Sequence, residues 1–163
     1  MPVLFKKERN DFIMLLLGVR NVAEQDLEVG EIVNLGSAYR HFYKKDCGVS
    51  TFTFNGTSIT LNRSGIYHIT ATAIVSAPVA GVVTLSLFSN GVAIPGAIAS
   101  ETITTATTEL RTLVIDTYVL VDTNCVLGTS STTSQNLTLV NAGVASTISN
   151  VVVNVDKVLW IDI

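Results

Sequence analysis

Two histidines, two cysteines and a scatter of carboxylates are the residues of this 163-residue chain whose types suit chemistry. His41 and His68 are the only candidate imidazole bases, and a serine nucleophile would need one of them beside a serine and an acid. No G-x-S-x-G elbow occurs to place such a serine, so hydrolase chemistry has no starting point. His41 stands among Tyr39, Arg40, Phe42 and Tyr43, a run an edge strand explains; His68 fits a half-buried or interface position. No pair of histidines or cysteines has zinc spacing, no loop follows the EF-hand pattern, and Gly91 and Gly96 sit in turns rather than in a phosphate-cradling loop. Cys47 and Cys125 lie far apart in sequence; two buried thiols and one disulfide are both compatible with that. Asn55-Gly56-Thr57, Asn62-Arg63-Ser64 and Asn136-Leu137-Thr138 match the glycosylation sequon, as chance allows in a chain rich in serine and threonine. No enzyme, resident metal or cofactor is expected.

The elements that carry these residues read as strands. The chain is rich in Val, Thr, Ala and Ser, and β-branched side chains suit a pleated surface. Residues 1–46 hold 14 of the 23 charged residues, leaving nine for residues 47–163. A β-domain with so little charge exposes hydroxyls or buries surface against copies of itself. The formal net charge is −3 with no basic block, so no nucleic-acid footprint is present. The apolar run Phe12 to Leu17 is too short to span a membrane.

Phe12, Leu15, Leu16, Val19 and Ala23 recur at helical spacing, with Asn10 or Asp11 as a cap and Gly18 against it. The expectation is an amphipathic N-terminal arm, helical or extended, whose stripe of Phe12, Leu15, Leu16 and Val19 attaches the protein to a partner. The alternative is that it packs on its own domain. From residue 29 the pattern is strand and turn. Glu31–Leu35, Tyr39–Tyr43, Thr51–Phe54 and Ser58–Leu61 are candidate strands, the last two around the Asn55-Gly56 hairpin turn. Ile66–Ser76, Val82–Ser89, Val92–Ile94, Ala97–Thr104, Glu109–Val121, Cys125–Ser130, Asn136–Asn141 and Thr147–Val158 follow. The spacing predicts an all-β sandwich of eight to ten antiparallel strands, with residues 1–46 as arm and entry strands and 47–163 as the domain. Between Ile66 and Ala73, alternation puts Tyr67, Ile69, Ala71 and Ala73 on one face and Ile66, His68, Thr70 and Thr72 on the other. The last strand repeats this, with Val151, Val153 and Val155 opposite Val152, Asn154 and Asp156. The small polar residues of Thr129–Gln135 read as a solvent-facing loop.

Gly65-Ile66-Tyr67-His68-Ile69 resembles a strand of the tumour necrosis factor and complement C1q jelly-roll superfamily. Leu85-x-Leu87-Phe88-x-Asn90-Gly91, Ile94-Pro95-Gly96, Tyr118-Val119-Leu120-Val121 and Leu137–Asn141 follow in order, and the likeness covers about residues 50–158. The stretch from Leu61 to Gly96 is similar to the C-terminal head domain of bacterial collagen-like spore-surface proteins and to small structural proteins of bacteriophages. Asp122-Thr123 stands where the superfamily has Gly-Asp, no Gly-X-Y stalk is present, and residues 1–46 match no family pattern. The resemblance implies a jelly roll whose inner sheet packs around a three-fold axis, with His68, Thr70, Thr72, Val152 and Asn154 at the trimer interface. It further implies a homotrimeric, non-enzymatic protein on a virion surface, as a capsid decoration or head-fibre component held through the N-terminal arm. A carbohydrate- or receptor-binding head on a phage tail or on a bacterial or spore surface, contacting a host-surface glycan, is the alternative. Some C1q-like heads hold calcium irregularly, and Asp116 and Asp122 are the carboxylates placed for that here.

Overall fold

A computed structural model describes residues 15–42, 45–46, 49–126, 129–132 and 134–159. Strands dominate: β1 (Leu15–Asn21), β2 (Gln25–Leu27), β3 (Ser37–Phe42), β4 (Lys45–Asp46), β5 (Val49–Ser50), β6 (Phe52–Phe54), β7 (Ile59–Leu61) and β8 (Gly65–Ser76). They continue with β9 (Gly81–Ser89), β10 (Val92–Ile103), β11 (Arg111–Val121), β12 (Thr123–Val126), β13 (Thr129–Thr132), β14 (Gln135–Asn141) and β15 (Ser146–Leu159). The first sheet, called inner below, runs β11-β8-β15-β1-β3 with β2 added beside β15; the outer sheet runs β10-β9-β14-β7-β6. Every strand pair is antiparallel, and β4–β5 and β12–β13 form two small ribbons. The jelly-roll sandwich expected from the sequence is therefore present, with six strands in one sheet and five in the other.

Alternation builds the core. β8 switches between buried and half-buried at every residue, so Tyr67, Ile69, Ala71, Ala73 and Val75 point inward. Leu113, Ile115, Val151, Val153 and Val155 join them, and Leu85, Leu87, Leu137, Leu139 and Ile59 meet them from the outer sheet. Tyr67 is fully buried, donates its hydroxyl to the Arg63 carbonyl at 2.7 Å and meets Phe52 edge to face. Burial pushes its phenol well above the ordinary range, so it stays neutral and a donor.

The N-terminal expectation needs correction. Residues 15–21 are neither a helix nor a separate arm: they are β1, hydrogen-bonded between β15 and β3 in the inner sheet. Leu15, Leu17 and Val19 face the core and are essentially inaccessible, so Leu15 and Val19 cannot serve as a free attachment stripe. Leu16 faces the other way and is half-buried, and Phe12 lies outside the described residues. The run Leu15-Leu16-Leu17 fits period 2 as well as period 3.6, and the long partner strand β15 selects the strand. A division at residue 46 does not separate arm from domain, because β1, β2 and β3 all belong to the inner sheet.

Glu31–Leu35 forms only an isolated bridge, Ile32 to Val140, instead of a strand. Its backbone nevertheless ties to the outer sheet: Gly30 N donates to Asn141 O, Val33 N to Leu139 O and Leu35 N to Gly56 O. The segment thus crosses from one sheet to the other with Val33 and Leu35 buried, closing one side of the sandwich. The Asn55-Gly56 turn joins β6 to β7 as expected, and Gly56 takes a φ of 99° there. The β12–β13 ribbon stands at the end where β1 begins, since Gln135 pairs with Leu61, Val121 with Gly65 and Leu15 with Lys157. The opposite end is made by the loops between β1 and β2, β8 and β9, β10 and β11, and β14 and β15.

Candidate association surface

The inner sheet has a second face, turned away from the core. Strand register arranges it in rows five strands wide. One row reads Tyr118, His68, Asp156, Leu16, Phe42 from β11 to β3. The next reads Asp116, Thr70, Asn154, Gly18, Arg40, and the third Val114, Thr72, Val152, Arg20, Ser37. Residues directly opposite in antiparallel strands share a face, so these fifteen positions form one surface. The five residues singled out by sequence, His68, Thr70, Thr72, Val152 and Asn154, all lie at its centre and are half-buried.

The surface is more apolar than a solvent-facing sheet requires. Phe42 is 66% exposed, Tyr118 63%, Val114 56% and Leu120 54%, with half-buried Leu16 and Ile66 between them. Sequence reasoning missed Tyr118, Val114, Leu120 and Phe42. The signal was present on β11, where Leu113, Ile115, Val119 and Val121 alternate with Val114, Asp116, Tyr118 and Leu120. Both faces of that strand carry apolar residues, as expected of a strand covered on both sides.

Polar contacts fix the surface in place. His68 Nε2 lies 2.6 Å from Asp116 Oδ1, and the imidazole stacks on Tyr118 with ring centres 4.8 Å apart. The Tyr39 hydroxyl donates to Asn154 Oδ1 at 2.7 Å, reaching over Gly18. A Cβ at Gly18 would stand 2.8 Å from that oxygen and 2.9 Å from the Tyr39 ring, which explains a glycine in mid-strand. The guanidinium groups of Arg20 and Arg40 sit 5.3 and 5.6 Å from the centre of the Tyr39 ring.

Among the described residues no three histidine, cysteine or acidic side chains are grouped to hold a metal ion. Asp116 is engaged by His68, and Asp122 is exposed beyond the end of β11. Cys47 lies outside the described residues, and so does the Cys125 side chain; their pairing is outside the description. The three sequon asparagines all serve the fold: Asn55 accepts from the Thr57 and Ser58 amides, Asn62 donates to Ser50 O, and Asn136 donates to Ser58 and Thr60. A groove of about 290 Å³ at the far end of the sandwich is lined by Asp26, Leu27, Glu28, Pro78 and Ser146 and contains no acid–base pair. Among the described residues no helix is long and apolar enough to cross a membrane.

No protein-family model and no curated protein matches the sequence significantly. Solved structures do match the fold. The globular domain of a zebrafish complement 1qA protein aligns over 91% of this chain and 99% of its own, with a TM-score of 0.56 and 8% identity. Eiger TNF from S. frugiperda aligns over 92% and 96%, with a TM-score of 0.60 and 6% identity. Murine APRIL aligns over 89% and 99%, with a TM-score of 0.57 and 8% identity. At such identities the likeness establishes a jelly roll of the C1q and tumour necrosis factor type.

Proposed function

We propose that this chain is a non-enzymatic structural head that assembles as a homotrimer through the outward face of its inner sheet. The observation that carries the reading is the set of exposed apolar side chains at both edges of one continuous sheet face, Val114, Tyr118 and Leu120 on β11 and Phe42 on β3. Contiguous apolar patches on a monomer mark interaction sites. Closing the face against copies of itself removes that area from water. At these exposures each side chain contributes roughly 1–2 kcal/mol on burial, and association costs about 4–15 kcal/mol. Burial of these side chains, counted on both partners of each contact, works against that cost. The three-fold symmetry is supported by the likeness of Gly65–Ile69 and the later motifs to the C1q and tumour necrosis factor superfamily.

Display on a bacteriophage particle, as capsid decoration or head fibre, is the finer part of the reading and draws on the similarity of Leu61–Gly96 to small phage structural proteins. Two measurements test the two levels. Sedimentation equilibrium at micromolar concentration is expected to give three times the 17.4 kDa chain mass. Immunogold labelling with an antibody against the chain is expected to mark virions purified from the source lysate; unlabelled virions would remove the phage placement and leave the trimer untouched.

A further inference from the structure

The association surface carries opposite charges at its two edges. Asp116 and Arg40 end the same row, Asp116-Thr70-Asn154-Gly18-Arg40, with uncharged residues between them. Four inter-strand spacings separate them, roughly 19 Å at the usual strand distance, too far for an ion pair within one protomer. Asp116 is 62% exposed on its side chain despite its bond to His68. At the other edge Arg40, with Arg20 one row away, rests on the Tyr39 ring, and neither has a carboxylate partner among the described residues. Asp156, opposite His68 on β15, adds a second carboxylate to the acidic half. One surface therefore holds an acidic half on β11 and β15 and a basic half on β1 and β3, both beside apolar side chains.

We infer that Asp116 of one protomer pairs with Arg40 of the next, so that the acidic edge of each surface meets the basic edge of its neighbour and fixes the register of assembly. This rests on the association surface proposed above and assigns its contacts. His68 is a positioning residue here: its ring, stacked on Tyr118, holds the Asp116 carboxylate at the rim of the sheet. Tyr39 does the same for the guanidinium groups through its own bond to Asn154. Complementary charges across an interface select register and suppress wrong pairings more than they add raw affinity.

Charge exchange in the full chain tests this. Asp116→Arg and Arg40→Asp are each made alone and then together, with thermal melting to establish that each variant folds. Each single reversal should raise the concentration at which the assembly half-dissociates by about tenfold or more. The double exchange should restore it to within a few-fold of the wild type, because the pair is re-formed with its sign inverted. Asp116→Asn, which keeps the size and removes the charge, should fall between, and its loss should shrink at high salt. A double exchange as weak as the two single effects combined overturns the pairing while leaving a trimeric wild type intact. A wild-type chain that sediments as a monomer overturns the association surface itself.

Discussion

The inner sheet has two faces made from the same strands, and they are composed differently. On β8, Tyr67, Ile69 and Ala71 alternate with His68, Thr70 and Thr72; on β15, Val151, Val153 and Val155 alternate with Val152, Asn154 and Asp156. The first set is sealed by the outer sheet, and Lys157, buried on the same face, holds its ammonium 5.9 Å from the centre of the Tyr67 ring. The second set is only half-buried, mixes polar and apolar residues, and is flanked by exposed Phe42, Tyr118, Val114 and Leu120. A core face needs shape and dryness. A face closed by association needs apolar area plus polar groups that remain satisfied while the protomer is alone. In the proposed assembly the His68–Asp116 and Tyr39–Asn154 bonds would meet that need. The comparison teaches that apolar content alone does not separate the two faces; the local partnering of polar groups does.

The strongest way to break the comparison is to remove a strand both faces share. Deleting residues 1–21 takes out β1, leaves β15 and β3 without their common neighbour, and strips Leu15, Leu17 and Val19 from the core. The truncated chain is expected to lose its cooperative melting transition by circular dichroism. A folded truncation would show that β1 is dispensable and reopen its role as a detachable arm.

Tyr67→Ala acts on the core face alone. Removing a buried aromatic costs roughly 3–5 kcal/mol, and here the bond to the Arg63 carbonyl and the contact with Phe52 go with it. Chemical denaturation should show that loss; a change below about 1 kcal/mol would mean Tyr67 is not a core residue.

The smallest effect lies on neither face and serves as a control. Glu109 closes the β10–β11 loop, accepting from the Thr105 and Thr104 amides and the Thr104 hydroxyl and pairing with Arg111. Those backbone amides first, and then the hydroxyl and Arg111, lower its carboxyl to about 2. A carboxyl lowered on folding contributes stability that is present above its ordinary value of 4.5 and is lost as pH falls toward about 2. Glu109→Gln should therefore lower the melting temperature slightly at neutral pH and flatten its dependence between those two pH values, without changing assembly. A melting profile identical to wild type across that range would discard the loop closure.

How much of this was legible in the sequence follows from the range of the interactions. The two faces of β8 and β15 could be read directly, because strand alternation is a local property and Gly65 and Asn55-Gly56 mark where strands start and turn. Leu15 to Val19 could not, since three consecutive leucines satisfy two periods and the deciding partner, β15, is more than a hundred residues away in the chain. The rows were hidden for the same reason. Placing Arg40 in line with Asp116 takes four strand pairings. His68, Thr70, Thr72, Val152 and Asn154 were identified as a group, whereas the exposed Tyr118, Val114, Leu120 and Phe42 beside them emerged only from the pairing.

The claim that the outward face closes on copies of itself is tested most directly by comparing the wild type with Tyr118→Asp in sedimentation equilibrium at micromolar concentration. Tyr118 is exposed in the protomer, so the substitution should leave the melting transition of the isolated chain nearly unchanged while placing a charge among the apolar side chains of the β11 edge, where the contact closes. The wild type is expected to sediment as three chains and the variant as one. A wild type that sediments as a single chain, or a Tyr118→Asp variant that stays trimeric, would contradict it.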